Sequence, residues 1–375
     1  MAGDHFQTYT NLTASPALTD RAGSASALGI LRSTEGGAIV DYRTVDGKRP
    51  PSLDGNLAAS AAAMGAQRFT DVRGIADGKR PPLVDSALVA FAGALGIPGF
   101  IDVHAHFMPE SVMRKVWAFF DSAADVYGTT WPVQYRLDDD ERLELIRGFG
   151  VKAFTSMIYA HKPGMSAWLN DWSAQFAATT PDCLHTATFF PEADVADYVS
   201  GALSDGARVF KVHLQVGGFD PRDPLLDAAW GLVNEAGIPI VVHCGSGPIT
   251  GPFTGPGPMS EVLKSHKGLQ VIVAHMGSRE YGDFLSMTER HHGVRLDTTM
   301  AFTHFMEKRA PYPKDLRPRL ADAGLRGDVL FGSDFPNIPY PYAEAIDALV
   351  RLGLGDEWLR AVLWESASEI FNVAG

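Results

Sequence analysis

From residue 99 onward the chain repeats one pattern eight times: a short apolar run, then a segment with helical spacing or a long connection. The runs are Phe100–Ala105, Lys152–Tyr159, His185–Phe190, Arg208–Leu214, Ile238–His243, Gln270–His275, Val294–Thr299 and Val329–Asp334. Apolar runs of this length, bounded by Gly or Pro, read as strands buried on both faces. Strands that alternate with helices pair in parallel, and a parallel sheet needs cover on both sides. Eight repeats close into a (β/α)8 barrel more readily than they spread into an open doubly wound sheet. No Gly-x-Gly-x-x-Gly follows the first run, so the usual dinucleotide signature is missing. Helices are expected between the runs, from Trp168–Ala178 to Asp315–Ala323, and three more close the chain at Tyr342–Leu352, Glu357–Trp364 and Ser366–Val373. Residues 109–149 form a longer insertion with two helix-like pieces around Gly128-Thr-Thr-Trp-Pro132.

The barrel accounts for residues 98–375. Residues 1–97 differ: they are rich in Ala, Gly, Ser and Thr, and a segment recurs at Asp46-Gly-Lys-Arg-Pro-Pro51 and Asp77-Gly-Lys-Arg-Pro-Pro82. Two copies do not make a solenoid, and Pro-Pro pairs favour extended backbone. A loosely ordered or partly helical extension is expected there. Its helical candidates are Leu57–Met64 and Ser86–Leu95, the second able to cover one end of the barrel.

Composition narrows the partners. A net charge of −12 without a basic run argues against nucleic acid. No apolar run is long enough for a bilayer, and no charged-then-apolar leader opens the chain. The two cysteines, Cys183 and Cys244, make no disulfide framework. The expected setting is the cytoplasm, with a small-molecule substrate, neither nucleic acid nor membrane as partner, and a homodimer as the candidate assembly.

Chemistry collects at the carboxyl ends of the runs, where a (β/α)8 barrel places it. The first run ends Asp102-Val-His-Ala-His106. Strand alternation would put Asp102, His104 and His106 on one face, with Cα atoms two residues apart roughly 6.5–7 Å from each other. Both imidazoles could then reach one metal at about 2 Å. The fourth run carries Lys211 and His213, the fifth ends in His243, the sixth in His275 and the eighth in Asp334. Singly, each is an ordinary polar residue at a strand end; together they point to a metal site.

The set Val103-His-Ala-His106, Val242-His243, Ala274-His-Met-Gly277 and Phe331-Gly-Ser-Asp-Phe-Pro336 resembles the amidohydrolase superfamily, and more narrowly its group that includes aminocarboxymuconate-semialdehyde decarboxylase. Phe210-Lys-Val-His213, Leu296-Asp-Thr-Thr299 and the tail Leu363–Phe371 are similar to that group as well. The resemblance spans residues 99 to 374. It implies one divalent metal, Zn2+ first and Fe2+ or Mn2+ next, held by His104, His106, His243 and Asp334. It implies that Asp334 also takes a proton from water and that His275 sits beside the metal as an acid–base group, orienting or protonating the substrate, or as an occasional ligand. In binuclear relatives a carboxylated lysine bridges two metals, and Lys211 sits on the corresponding strand. Lys211 could instead hold a substrate carboxylate, and His213 could contact substrate or line the barrel. His161, in Tyr159-Ala-His-Lys-Pro163, is a further substrate candidate near the mouth. The Gly- and Pro-rich stretch 245–257 is either a lid or a plain surface loop. Trp131 and Phe253 are candidates for the pocket wall.

Two reactions follow from the resemblance. One is hydrolysis of a C–N or C–O bond in a small, carboxylated or cyclic substrate. The other is non-oxidative decarboxylation on the same metal.

Overall fold

The eight apolar runs become parallel strands in a computed structural model that describes residues 81–375. The candidate helix Leu57–Met64 and the first Asp-Gly-Lys-Arg-Pro-Pro copy lie outside the described residues. The strands are β1 (Phe100–Asp102), β2 (Val151–Thr155), β3 (Cys183–Leu184), β4 (Thr186–Thr188), β5 (Val209–His213), β6 (Ile240–His243), β7 (Val271–Val273), β8 (Val294–Asp297) and β9 (Val329–Leu330). β3 and β4 are one run interrupted at His185. They join a three-stranded sheet, β1-β2-β3, to a six-stranded one, β4 through β9. Val103 N donates to Phe331 O at 3.0 Å and closes the circle between the first and last strands.

Most strands stop short of their apolar runs; β6, which ends with its run at His243, does not. Alternating apolar residues continue to Ala105 and Asp334, but the ladder ends at Asp102 and Leu330. The missing residues have other partners. Phe331 N donates to Val362 O of the carboxyl-terminal helix at 3.0 Å, and Asp334 N donates to His104 O at 2.8 Å. The carboxyl ends of the strands therefore leave the ladder to build the mouth of the barrel.

Helices cover the outside as the spacing predicts, among them Ser166–Thr179, Val195–Ser204, Asp227–Ala236, Pro256–Ser265, Tyr281–Arg290 and Arg317–Leu325. The insertion holds helices Glu110–Asp121 and Ala123–Tyr127 before Asp139–Gly148, which leads into β2. Asp138 starts that last helix with a reciprocal cap: its carboxylate accepts from Glu141 N at 2.9 Å.

Helix Leu88–Leu95 buries Leu88, Phe91 and Leu95 in the core. Full burial of one such side chain is worth about 1.5–3 kcal/mol. Val89 lies against Gly150, where a Cβ would sit 3.3 Å from its Cγ2, so the helix packs at the start of β2.

Candidate metal centre

The chain bends at Val103 and His104, immediately after β1. The bend breaks the alternation, so Asp102 does not share the histidines' surroundings as expected. Its buried carboxylate accepts from Ser333 Oγ at 2.5 Å, Tyr342 OH at 2.8 Å and His104 N at 3.1 Å. Burial pushes its carboxyl up to about 6, against the pull of those bonds. Asp102 thus ties the end of the first strand to the end of the last.

His104 Nδ1 donates to Asp297 Oδ2 at 2.8 Å, and His106 Nδ1 donates to Met157 O at 2.9 Å. Each acceptor is an oxygen without a proton to give, so each Nδ1 carries the hydrogen and each Nε2 keeps a lone pair. Both lone pairs face Asp334 Oδ1, which lies 2.9 Å from His106 Nε2 and 3.7 Å from His104 Nε2. Among the described residues, His104, His106 and Asp334 bring their ligand atoms within 4.8 Å of one another.

Asp334 sits at φ 75° in the left-handed region. Gly332 makes room beside it: a Cβ there would run into Thr299 Oγ1 and come within 2.8 Å of His104 Cβ. His275, Met276, Met300 and Phe302 also have positive φ. These five follow β7, β8 and β9, and the remaining non-glycine case, Asn372, lies near the chain end. Backbone held in sparsely populated regions collects where a site needs it.

The other predicted residues fall around this centre. His275 Nδ1 donates to Thr299 O at 3.2 Å, and its ring lies 5.1 Å from that of His104. His243 is one ring farther on, 4.8 Å from His275, and outside the three-residue ligand set. It pairs in register with His213, and the two rings stack at 3.9 Å and 11°. His213 Nδ1 accepts from Val216 N at 3.2 Å. Lys211 is fully buried with Nζ 3.1 Å from His104 Nε2, and burial pushes its ammonium down to about 8. His161 is half-buried after β2, and desolvation lowers its pKa, with the charges of Lys162 and Lys115 adding to the effect. Tyr159, two residues earlier, places its ring 5.1 Å from His213 and 6.1 Å from His106.

Asp297 was not singled out by sequence. Both its oxygens are engaged: Oδ2 takes His104, while Oδ1 accepts from His275 N at 2.9 Å and Thr299 N at 3.1 Å. Its signal was available, because it is the one carboxylate in the run Val294–Thr299 and ends β8 as Asp334 follows β9.

The Gly- and Pro-rich loop after β6 is tied down. Glu280 accepts from Ser246 N at 3.0 Å and from Ser246 Oγ, Gly247 N donates to Ser278 O at 2.7 Å, and Gly255 N returns to Cys244 O at 2.6 Å. Trp131 stacks on Phe120 at 5.2 Å and meets Phe305 edge-on at 4.8 Å, which joins the insertion to the loop after β8.

These residues fit a divalent cation. Burial, with the Lys211 charge adding, pushes His104 down to about 3, so it stays neutral. Burial works upward on Asp334, but the imidazoles of His106, His275 and His104 beside it hold the carboxyl below its usual range. Neutral imidazoles and an ionised carboxylate are a donor set for Zn2+, Fe2+ or Mn2+. Among the described residues, His243 Nδ1 is buried without a hydrogen-bond partner, a further donor atom for a cation.

Comparison with known proteins agrees. The family model described as amidohydrolase matches residues 101–373. No curated protein sequence matches. An uncharacterized TIM-barrel protein from Bordetella bronchiseptica superposes with a TM-score of 0.59 at 16% identity, over 73% of this chain and 98% of its own. An amidohydrolase II gives 0.53 at 17% identity, over 73% and 99%. A 5-carboxyvanillate decarboxylase from Sphingomonas paucimobilis gives 0.51 at 14% identity, over 74% and 100%. With a barrel of this topology, a divalent-metal donor set at its mouth and the family match over most of its length, the chain belongs to the amidohydrolase family and is an enzyme.

Proposed function

We propose that the protein is a metal-dependent hydrolase that directs water to a C–N or C–O bond of a small substrate, carboxylated or cyclic. One observation carries the reading: two imidazole lone pairs, each fixed by a bond at the opposite nitrogen, face one carboxylate oxygen at 2.9 and 3.7 Å. The lone pair of His104 is met by Lys211 Nζ at 3.1 Å, while His106 Nε2 and Asp334 Oδ1, two acceptors 2.9 Å apart, repel unless a cation lies between them. His104, His106 and Asp334 would hold it, with His243 as the further ligand, and Zn2+ is the proposed ion. A divalent cation there supplies Lewis acidity and a water that ionises near neutral pH.

The chain's own groups divide the proton work. Asp334 is the acceptor for the proton that water loses. His275 is the donor to the leaving atom; burial keeps it neutral at rest, so it must first receive that proton. Lys211 and His213 line the substrate side of the ring cluster, with His161 on the loop beyond Tyr159. Hydrolysis is preferred over decarboxylation because the site offers both a proton acceptor and a donor. Splitting water across a bond uses both, whereas loss of CO2 needs only a proton delivered to carbon.

Two measurements test this. Metal analysis of purified protein should give about one atom per chain. Mass spectrometry of products from a panel of carboxylated and cyclic substrates should show gain of one water. Loss of CO2 instead would make the enzyme a carboxy-lyase, and a protein that binds no divalent metal would sink both.

A further inference from the structure

Where the insertion 109–149 meets the loop after β9, buried Asn337 gathers the hydrogen bonds. Its main-chain N–H donates to Asp334 O at 2.8 Å. Its Oδ1 accepts from Trp117 Nε1 at 3.1 Å, and its main-chain O accepts from Trp131 Nε1 at 2.7 Å. Gln134 N adds a bond to Ile338 O at 3.0 Å. Two indoles of the insertion thus converge on the residue that holds the backbone of Asp334.

The indoles are themselves fixed. The Arg142 guanidinium lies over the Trp117 ring at 5.6 Å and over Phe107, the neighbour of His106, at 5.2 Å. Trp131 is packed between Phe120 and Phe305. The buried Trp131 N–H needs an acceptor, and the half-buried Trp117 N–H keeps one here, so Asn337 cannot shift without stranding an indole. Asp334, for its part, holds a left-handed conformation that persists only when its surroundings over-determine it.

We propose that Asn337 is a positioning residue for the metal-binding carboxylate. Trp117 and Trp131 hold Asn337, and Asn337 holds Asp334 in the turn that aims Oδ1 at His106. The inference rests on the metal reading above and extends it: the insertion braces the metal centre as well as covering it.

The test is Zn2+ affinity of the full chain, measured by competition with a chromophoric chelator. Trp117→Phe and Asn337→Leu are each expected to weaken binding by about tenfold, within the range that partners of metal ligands command. The double variant should bind no more weakly than either single one, because both remove the same hydrogen bond. Asn337→Asp, which keeps an acceptor oxygen, should restore most of the affinity. Wild-type affinity in both single variants, or penalties that add in full, would overturn the proposal; if Asn337→Leu does not fold, Trp117→Phe decides alone. A wild-type chain that binds no Zn2+ would instead overturn the metal reading, and this inference with it.

Discussion

Asp297 spends its two oxygens on two different tasks, and both matter at the scale of single atoms. Oδ2 fixes the tautomer of His104; Oδ1 fixes the backbone from which His275 projects. Asp297→Asn leaves one acceptor oxygen where two are used: turned to His104 Nδ1 it sets its NH2 against the N–H groups of His275 and Thr299, and turned to them it sets NH2 against His104. Metal affinity should fall about 10- to 100-fold, read by chelator competition. Asp334→Asn should abolish turnover while the far-ultraviolet circular dichroism and the apo melting curve stay as they are. Lys211→Met should leave one metal atom per chain, because Nζ lies on the lone pair of His104 and acts there as a rival cation. A wild-type count of about two that drops in this variant would make Lys211 a bridge. The histidines and Asp334 were legible because a polar residue ending an apolar run stands out. The partners of Nδ1 were not, since a hydrogen bond across 193 positions leaves no local trace.

Individual elements carry a different lesson. The apolar runs located every strand but β3, which lies just ahead of the run His185–Phe190, yet overran the carboxyl ends by up to four residues. Hydrophobic alternation continues through a bend, whereas ladder pairing stops there, and only pairing defines a strand. The turn at Asp334 depends on the carbonyl of His104, which no pattern around residue 334 reveals. The loop 245–257 was ambiguous for a similar reason. Its glycines suggest freedom, but Gly245 packs so closely on the Gly277–Ser278 backbone that a Cβ would collide. Glu280→Ala should release this loop: both bonds to Ser246 would go, costing about 1–3 kcal/mol, and amide hydrogen exchange over residues 245–255 should quicken.

For the molecule as a whole, stability and metal occupancy should be linked. A ligand that binds only the folded chain stabilises it by about 2.7 kcal/mol at a hundredfold excess over Kd. At about 1–2 °C per kcal/mol for a chain of this size, stripping the metal should lower the melting temperature by roughly 3–5 °C. His106→Ala should remove that response. The barrel was readable from the period of its sequence because each repeat is one buried strand and one cover helix. The insertion was visible as excess length, but its grip on Asn337 was not, because indole N–H groups announce no acceptor.

The proposed metal ligands come from opposite ends of the barrel's sequence: His106 and Asp334 are 228 positions apart, and they meet where the first strand's end touches the last. A ribosome must therefore finish nearly the whole domain before the cation has anywhere to sit. On the proposed ligand set, loading would follow synthesis, and a truncation between residues 276 and 333 would keep the histidines yet lack the carboxylate that completes the set.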